Sequence, residues 1–225
     1  MPVIDIDTWK LLTEWAKIVG AMAVFLIGLW QYSKAQKWKR REFIASHIKE
    51  FEGDRKIQLA MTMLDWNDRE LYFPSEASRD PIPVRVDDGL LCGALLPHEA
   101  ANGYYPNEAL IRDCIDHFLE MLVRLENFLE AKLIKLEELR PYISYWIRLV
   151  SGQMAGWHRP EVHTLLLNYI QKYGFAGAGR LIEQFGYNPI PPQTAIDEAV
   201  NRTVEERSRH VWQTGSDSVS QPPVP

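Results

Sequence analysis

The stretch Ile18–Trp30, IVGAMAVFLIGLW, runs thirteen residues without a charge. A membrane helix needs about 20 predominantly apolar residues, so by length alone the run also fits a core helix or the apolar part of a secretory signal. Its flanks decide between these. Trp15, Trp30 and Tyr32 stand at the two ends, where amphipathic aromatics settle at headgroup level, and Lys17 and Gln31 are long enough to reach the interface. Trp15 to Tyr32 spans eighteen residues, roughly 27 Å of helix against a hydrocarbon core of ~30 Å. A cleaved signal carries a basic leader and a small-residue cleavage site, whereas Asp5, Asp7 and Glu14 precede this run and a basic block follows it. The pattern predicts a transmembrane anchor over residues 15–33, with Trp15, Gly20, Phe25, Trp30 and Tyr32 as its anchoring residues. Ala16 and Gly20 form a small-xxx-small pair that permits close helix approach.

Charge sets the expected orientation. Lys34, Lys37, Lys39, Arg40 and Arg41 make a juxtamembrane collar over 34–41 in a chain of net charge −5. The basic excess on the C-terminal side places that side in the cytoplasm. The expectation is a single pass through the inner (cytoplasmic) membrane with the N-terminus outside, the collar meeting lipid headgroups. Residues 1–14 read as an amphipathic lead-in, with Trp9, Leu12 and Trp15 at helical spacing. The remainder is acidic, which argues against nucleic acid as a partner. Two cysteines, Cys92 and Cys114, are too few for a disulfide framework and lack metal-ligand spacing; both read as small core hydrophobes.

Residues 42–187 predict a mainly α, cytoplasmic helical bundle. Ile44, Ile48 and Phe51 form one stripe and Ile57, Met61 and Leu64 another, with Gly53 favouring a break. Asn107 is an N-cap candidate for a helix of about 25 residues whose Ile111, Ile115, Phe118, Leu122, Leu125 and Leu129 recur three and four apart. Pro141 suits the first turn of the next helix, and Pro160 starts another that Gly174 stops. A short helix with Leu181, Ile182 and Phe185 ends at Gly186. Between 67 and 106 prolines and glycines break the periodicity, leaving at most a small hairpin of Leu71–Phe73 with Val84–Val86. Residues 188–225 read as a Pro-rich, largely disordered tail with an exposed helix over 194–213.

The sharpest local pattern is Arg112-Asp113-Cys114-Ile115-Asp116-His117. It resembles the R-x4-6-H signature of HEPN-type helical ribonucleases, and the layout is similar to membrane accessory proteins of RNA-targeting CRISPR and other defence systems. That resemblance implies a metal-independent ribonuclease in which Arg112 steadies phosphate and His117 acts as acid–base at the 2′-hydroxyl. It covers two residues, and five positions on a straight helix separate side chains by about 140°. Glu108–Arg112 and Asp113–His117 also form ordinary i,i+4 surface pairs. The segments LDWNDREL, IRDCIDHFLEMLVRLENFLEAKLI, PYISYWIRLV and LNYIQKYGFAGAGRLIEQFG resemble a broad bacterial family of membrane-anchored helical proteins over residues 15–187. This implies the same architecture without an assigned activity, and makes Arg112 and Asp116 part of the pattern more clearly than His117.

Other chemistries find less support. His158, Glu161 and His163 lack a further metal ligand at usable spacing and read as helix-terminus hydrogen bonders. Asp65–Glu70 fails the calcium-loop pattern at its fifth and sixth positions, with Trp66 expected to pack. Nucleophile elbows, phosphate loops and dinucleotide fingerprints are missing from the sequence, so no cofactor is implied. Tyr142, Tyr145, Trp146 and Trp157 at helical spacing predict core packing. The functional expectation is a non-enzymatic membrane-tethered scaffold or adaptor working through homo-oligomerisation or a protein partner. A ribonuclease effector and an oligomeric pore are the alternatives.

Overall fold

The computed structural model describes residues 6–74, 80–154 and 158–214, with side chains described over 14–74, 80–154 and 158–209. The side chains of the lead-in before Glu14, Trp157 and the end of the tail from 215 lie outside the described residues. The chain divides into two units, 1–46 and 47–225.

The first unit is the greater part of α1 (Ile6–Gly53). The helix contains no proline, and its glycines before the terminus, Gly20 and Gly28, are isolated, so nothing in it forces a kink. It is long and apolar enough to cross a membrane, and none of its apolar window is buried within the chain. Val24, Phe25, Leu26 and Ile27 point outward, as do Trp15, Trp30 and Tyr32.

The second unit begins at His47, within the last turns of α1, which ends at Gly53. Asp54 caps α2 (Arg55–Asp65), its Oδ1 accepting from the backbone N–H of Lys56 at 2.8 Å and Ile57 at 3.1 Å. The hairpin anticipated in the irregular region is β1 (Arg69–Phe73) against β2 (Ile82–Val86), antiparallel with Leu71 opposite Val84. Leu71, Phe73, Val84 and Val86 are buried, so period-two alternation puts one face of the ribbon in the core. Two helices then appear where periodicity had failed, α3 (Asp88–Leu95) and α4 (His98–Ala101). α3 is buried on nearly every side through Leu91, Cys92, Ala94 and Leu95, so it lacks the polar face that gives a helix its sequence signature.

The central helix is α5 (Pro106–Glu130), which packs against α2, α3 and α8 (Ala176–Gln184). Ile111, Ile115, Phe118, Leu122 and Leu125 are buried as the spacing requires, while Leu129, in the last turn, is only half-buried. Its start is two residues earlier than expected. Tyr105 is the N-cap, Pro106 supplies the first turn, and Glu108 accepts from Tyr105 N–H at 2.8 Å. α8 approaches closely because Gly177 has no side chain; a Cβ there would lie 3.1 Å from Val123 Cγ1 and 3.3 Å from its Cα.

α6 (Leu136–Val150) begins five residues before Pro141, which therefore sits inside the helix rather than in its first turn. Glu138 accepts from Lys135 N–H at 3.1 Å and secures that earlier start. Tyr142 and Tyr145 face outward, contrary to the core packing expected of them; Tyr145 donates to Asp65, while Trp146 is half-buried with its ring 6.5 Å from that of Phe118. Trp66 is likewise exposed, beneath the Arg69 guanidinium. α7 (Pro160–Lys172) starts at Pro160 and ends before Gly174 as predicted. α9 (Gln193–Thr214) packs on α7, α3 and α4, with Ala199 and Thr203 buried. Residues beyond 187 thus contribute a packed helix, where the sequence reading had placed an exposed one.

Phe118 is fully buried, so Phe118→Ala should lower stability by about 3–5 kcal/mol. Urea unfolding of the full chain in detergent, followed by circular dichroism, measures the loss.

Candidate functional site

Arg112 and His117 leave α5 in different directions, as a five-residue step demands. The Arg112 guanidinium carbon lies 4.3 Å, 4.5 Å and 4.7 Å from the ring centres of Tyr104, Tyr169 and Tyr173. Its Nη1 donates to the carbonyls of Ala94 at 2.9 Å and Leu96 at 3.3 Å. The cage is itself tied down. Tyr104 donates to Leu96 O at 2.7 Å, Tyr169 donates to Asp116 Oδ1 at 2.5 Å, and the His98 N–H donates to Tyr173 Oη at 2.9 Å. Burial pushes the Tyr104 and Tyr169 phenols upward, keeping both as donors, and raises Asp116 against the opposing Tyr169 bond. Asp116 thus works alongside Arg112, joined to its cage through Tyr169.

His117 lies elsewhere. Its Nδ1 bonds the carbonyl of Asp113 at 2.7 Å; a carbonyl only accepts, so Nδ1 carries the proton. The ring lines a cavity of about 100 Å³ with Phe51, Asp54, Glu120 and Arg124, and Arg112 is not among its walls. Asp113 pairs with Lys56 at 2.8 Å. The structure thus gives Arg112 and His117 separate surroundings.

The larger feature is an open cleft of about 720 Å³ lined by Asn67, Asp68, Arg85, Asp87, Asp88, Gly89, Arg159, Glu206 and Arg209. Asp88 is its buried root. Its Oδ1 meets His158 Nδ1 at 2.5 Å, and its Oδ2 accepts from Arg159 N–H at 2.8 Å and Asn67 Nδ2 at 3.4 Å. His158, only 2% exposed, reaches Leu64 O with Nε2 at 3.0 Å. The ring thereby links the Asp88 carboxylate to the last turn of α2. Burial raises the Asp88 carboxyl, but the His158 and Arg159 bonds outweigh it and hold the group below its ordinary range. The other charges in the cleft are matched as well. Arg85 holds Asp68 through two bonds of 2.6 Å and 2.7 Å, Arg159 Nη1 bonds Glu206 at 2.9 Å, and Arg209 bonds Glu205 at 2.6 Å. Asp87 caps α3 through Leu90 N–H at 2.8 Å.

Behind the cleft, α9 is clamped by arginine. Arg207 makes two bonds to Glu108, at 2.8 Å and 2.7 Å, and donates to the carbonyls of Ala101 and Gly103, with its guanidinium over Tyr105. Glu108 is 3% exposed and Arg207 17%. Gly93 leaves room for that carboxylate, since a Cβ there would fall 2.5 Å from Glu108 Oε1. Arg202 of α9 pairs with Glu161 of α7. Beneath Thr203 lies Cys92, whose thiol burial pushes up to about 12; Cys114 is pushed to about 12 likewise. Neither has the thiolate character of a reactive cysteine. Among the described residues, no group of three His, Cys, Asp or Glu side chains converges to hold a metal ion.

Sequence reading singled out His158 only as a helix-terminus hydrogen bonder and paired Glu108 with Arg112 on the helix surface, whereas the structure buries Glu108 against Arg207; it missed Asp88, Arg159, Glu206 and Arg207. A local cue existed for Glu108, a carboxylate at the third position after a capped start. No local cue existed for its partner, 99 residues away. No family model, curated protein or solved structure matches the chain.

Two outcomes test this architecture. Arg207→Ala leaves the buried Glu108 without its counter-charge and should cost about 3–5 kcal/mol; the same change should speed iodoacetamide labelling of Cys92 in the native protein by loosening the helix above it. The second concerns His163, whose ring stands 6.2 Å from that of His158. Burial, then His158, hold it below the ordinary imidazole range. The unfolded chain therefore takes up this proton first as pH falls, and the stability it contributes is full above about pH 6.5 and declines below it. Urea midpoints at about pH 7.5 and about pH 5.5 should differ more in the wild type than in His163→Gln.

Proposed function

We propose that the protein is a single-pass, membrane-tethered scaffold whose helical domain works in the cytoplasm through self-association or a protein partner. The observation that carries this reading is α1, an apolar helix whose outward side chains find no cover within the chain. Exposed Trp15, Trp30 and Tyr32 at its ends suit the two interfaces of a bilayer. The basic residues from Lys34 to Arg41 support an inner-membrane orientation with the N-terminus outside. Tethering confines copies to a plane and raises their effective concentration, so weak domain contacts suffice for assembly.

The domain's own chemistry supports a scaffold over a ribonuclease. Arg112 is engaged by three rings and two carbonyls, and the charges lining the cleft are paired with one another. Such an arrangement fixes a shape for recognition, and it holds Arg112 among its tyrosines while His117 lines a separate cavity.

Alkaline carbonate extraction should leave the chain in the membrane pellet. A cysteine placed at Asp7 should react with an impermeant maleimide in intact cells, and one at Ser216 only after permeabilisation. The purified protein and its His117→Ala variant should show equal, background RNA cleavage. Turnover abolished by His117→Ala in a protein that stays folded would replace the scaffold reading with the ribonuclease one.

A further inference from the structure

Five exposed residues of α1 share one face: Trp30, Lys34, Lys37, Trp38 and Arg41. At 100° per residue they fall within a sector of about 100° and along about 16 Å of axis. Lys39 and Arg40, the other members of the basic block, fall outside it. The Lys34 ammonium sits 5.2 Å from the Trp30 ring centre.

Within the stripe, Lys34 and Lys37 are three apart and Lys37 and Arg41 four apart, so like charges stand next to one another on the helix surface. Such neighbours destabilise a helix in water. None of the three has an acidic residue three or four positions away in the sequence, and among the described residues none has a carboxylate partner. Several arginines of the second unit are placed differently. There Arg85, Arg159, Arg180, Arg202, Arg207 and Arg209 each hold a carboxylate. The stripe is therefore open to an anion from outside the chain, and its two tryptophans set the level at which that anion is met, the headgroup zone.

Resting on the membrane-anchored reading, we propose that this face is a binding site for an anionic phospholipid headgroup, with Lys34, Lys37 and Arg41 meeting the phosphodiester between Trp30 and Trp38. A zwitterionic headgroup brings its own cation and leaves the three charges uncompensated, so the site selects net negative lipid. Lys39 and Arg40 contribute to the general field at the membrane surface without belonging to the site.

The test is native mass spectrometry of the full chain in detergent with equal phosphatidylglycerol and phosphatidylcholine. The wild type should retain phosphatidylglycerol preferentially. Lys37→Gln/Arg41→Gln should lose that preference, by about fivefold for each charge removed. Lys49→Gln/Arg148→Gln, which removes the same charge outside the collar, should keep it, as should the charge-conserving Lys37→Arg/Arg41→Lys. Unchanged helical circular dichroism shows that the variants are folded. No preference in the wild type, or equal loss in both charge-removing pairs, overturns the site. So does displacement of the lipid by excess inorganic phosphate, which would mark a small-anion site; resistance to phosphate supports a headgroup. Release of the wild type by alkaline carbonate is a different failure, that of the anchor, and is read separately.

Discussion

Removing a carboxylate from water costs several kcal/mol unless donors surround it, and Asp88 meets that condition with groups from two distant parts of the chain. His158 and Arg159 approach from the segment before α7, Asn67 comes from the turn after α2, and His158 in turn reaches back to the last turn of α2 at Leu64. The start of α3, the end of α2 and the start of α7 are thereby fixed to one point. Apolar burial holds these helices together without choosing a register; the geometry of a carboxylate chooses it. Arg159 extends the arrangement to α9 through Glu206. The cleft is the outer surface of this junction, and its paired charges follow from the need to satisfy the ones beneath.

The two units treat charge in opposite ways. In the helical domain, Arg159, Arg180, Arg202 and Arg207 are matched to carboxylates from distant segments, and two of those carboxylates, Glu108 and Glu126, are buried. Along α1, Lys34, Lys37 and Arg41 have no carboxylate partner among the described residues. Paired ions make a domain internally sufficient and its surface selective in shape; unmatched ions make a helix dependent on its surroundings. The same contrast holds for apolar groups, buried along α5 and exposed along α1. A chain that satisfies itself in one unit and leaves the other unsatisfied suits attachment to a surface.

Much of the fold was legible because its helices are amphipathic. The seam of α5, the Pro160 start of α7 and the Gly174 stop all announce themselves by spacing or by residue type. α3 did not, because a helix buried all round carries no polar face to reveal its period. Pro141 misled because proline is commonest at a helix start, while the capping glutamate three residues earlier governed. The composition of α9 is that of an exposed helix, and its attachment rests on arginines whose partners are remote in sequence. The candidate site was less legible still. Arg112 and His117 matched a short motif, yet a helix of ordinary pitch turns them apart. The residues that organise the cleft are joined across 70 positions and more, and a single sequence holds no record of such pairings.

The distance along the chain between Glu108 and Arg207 also bears on the order of events during synthesis. The buried carboxylate waits 99 residues for its counter-ion, roughly 5–20 s at ordinary elongation rates. α1 precedes both, and its apolar segment is available to a bilayer throughout that interval. The hydrophobic helix is thus complete while the domain behind it still lacks the arginine that closes it.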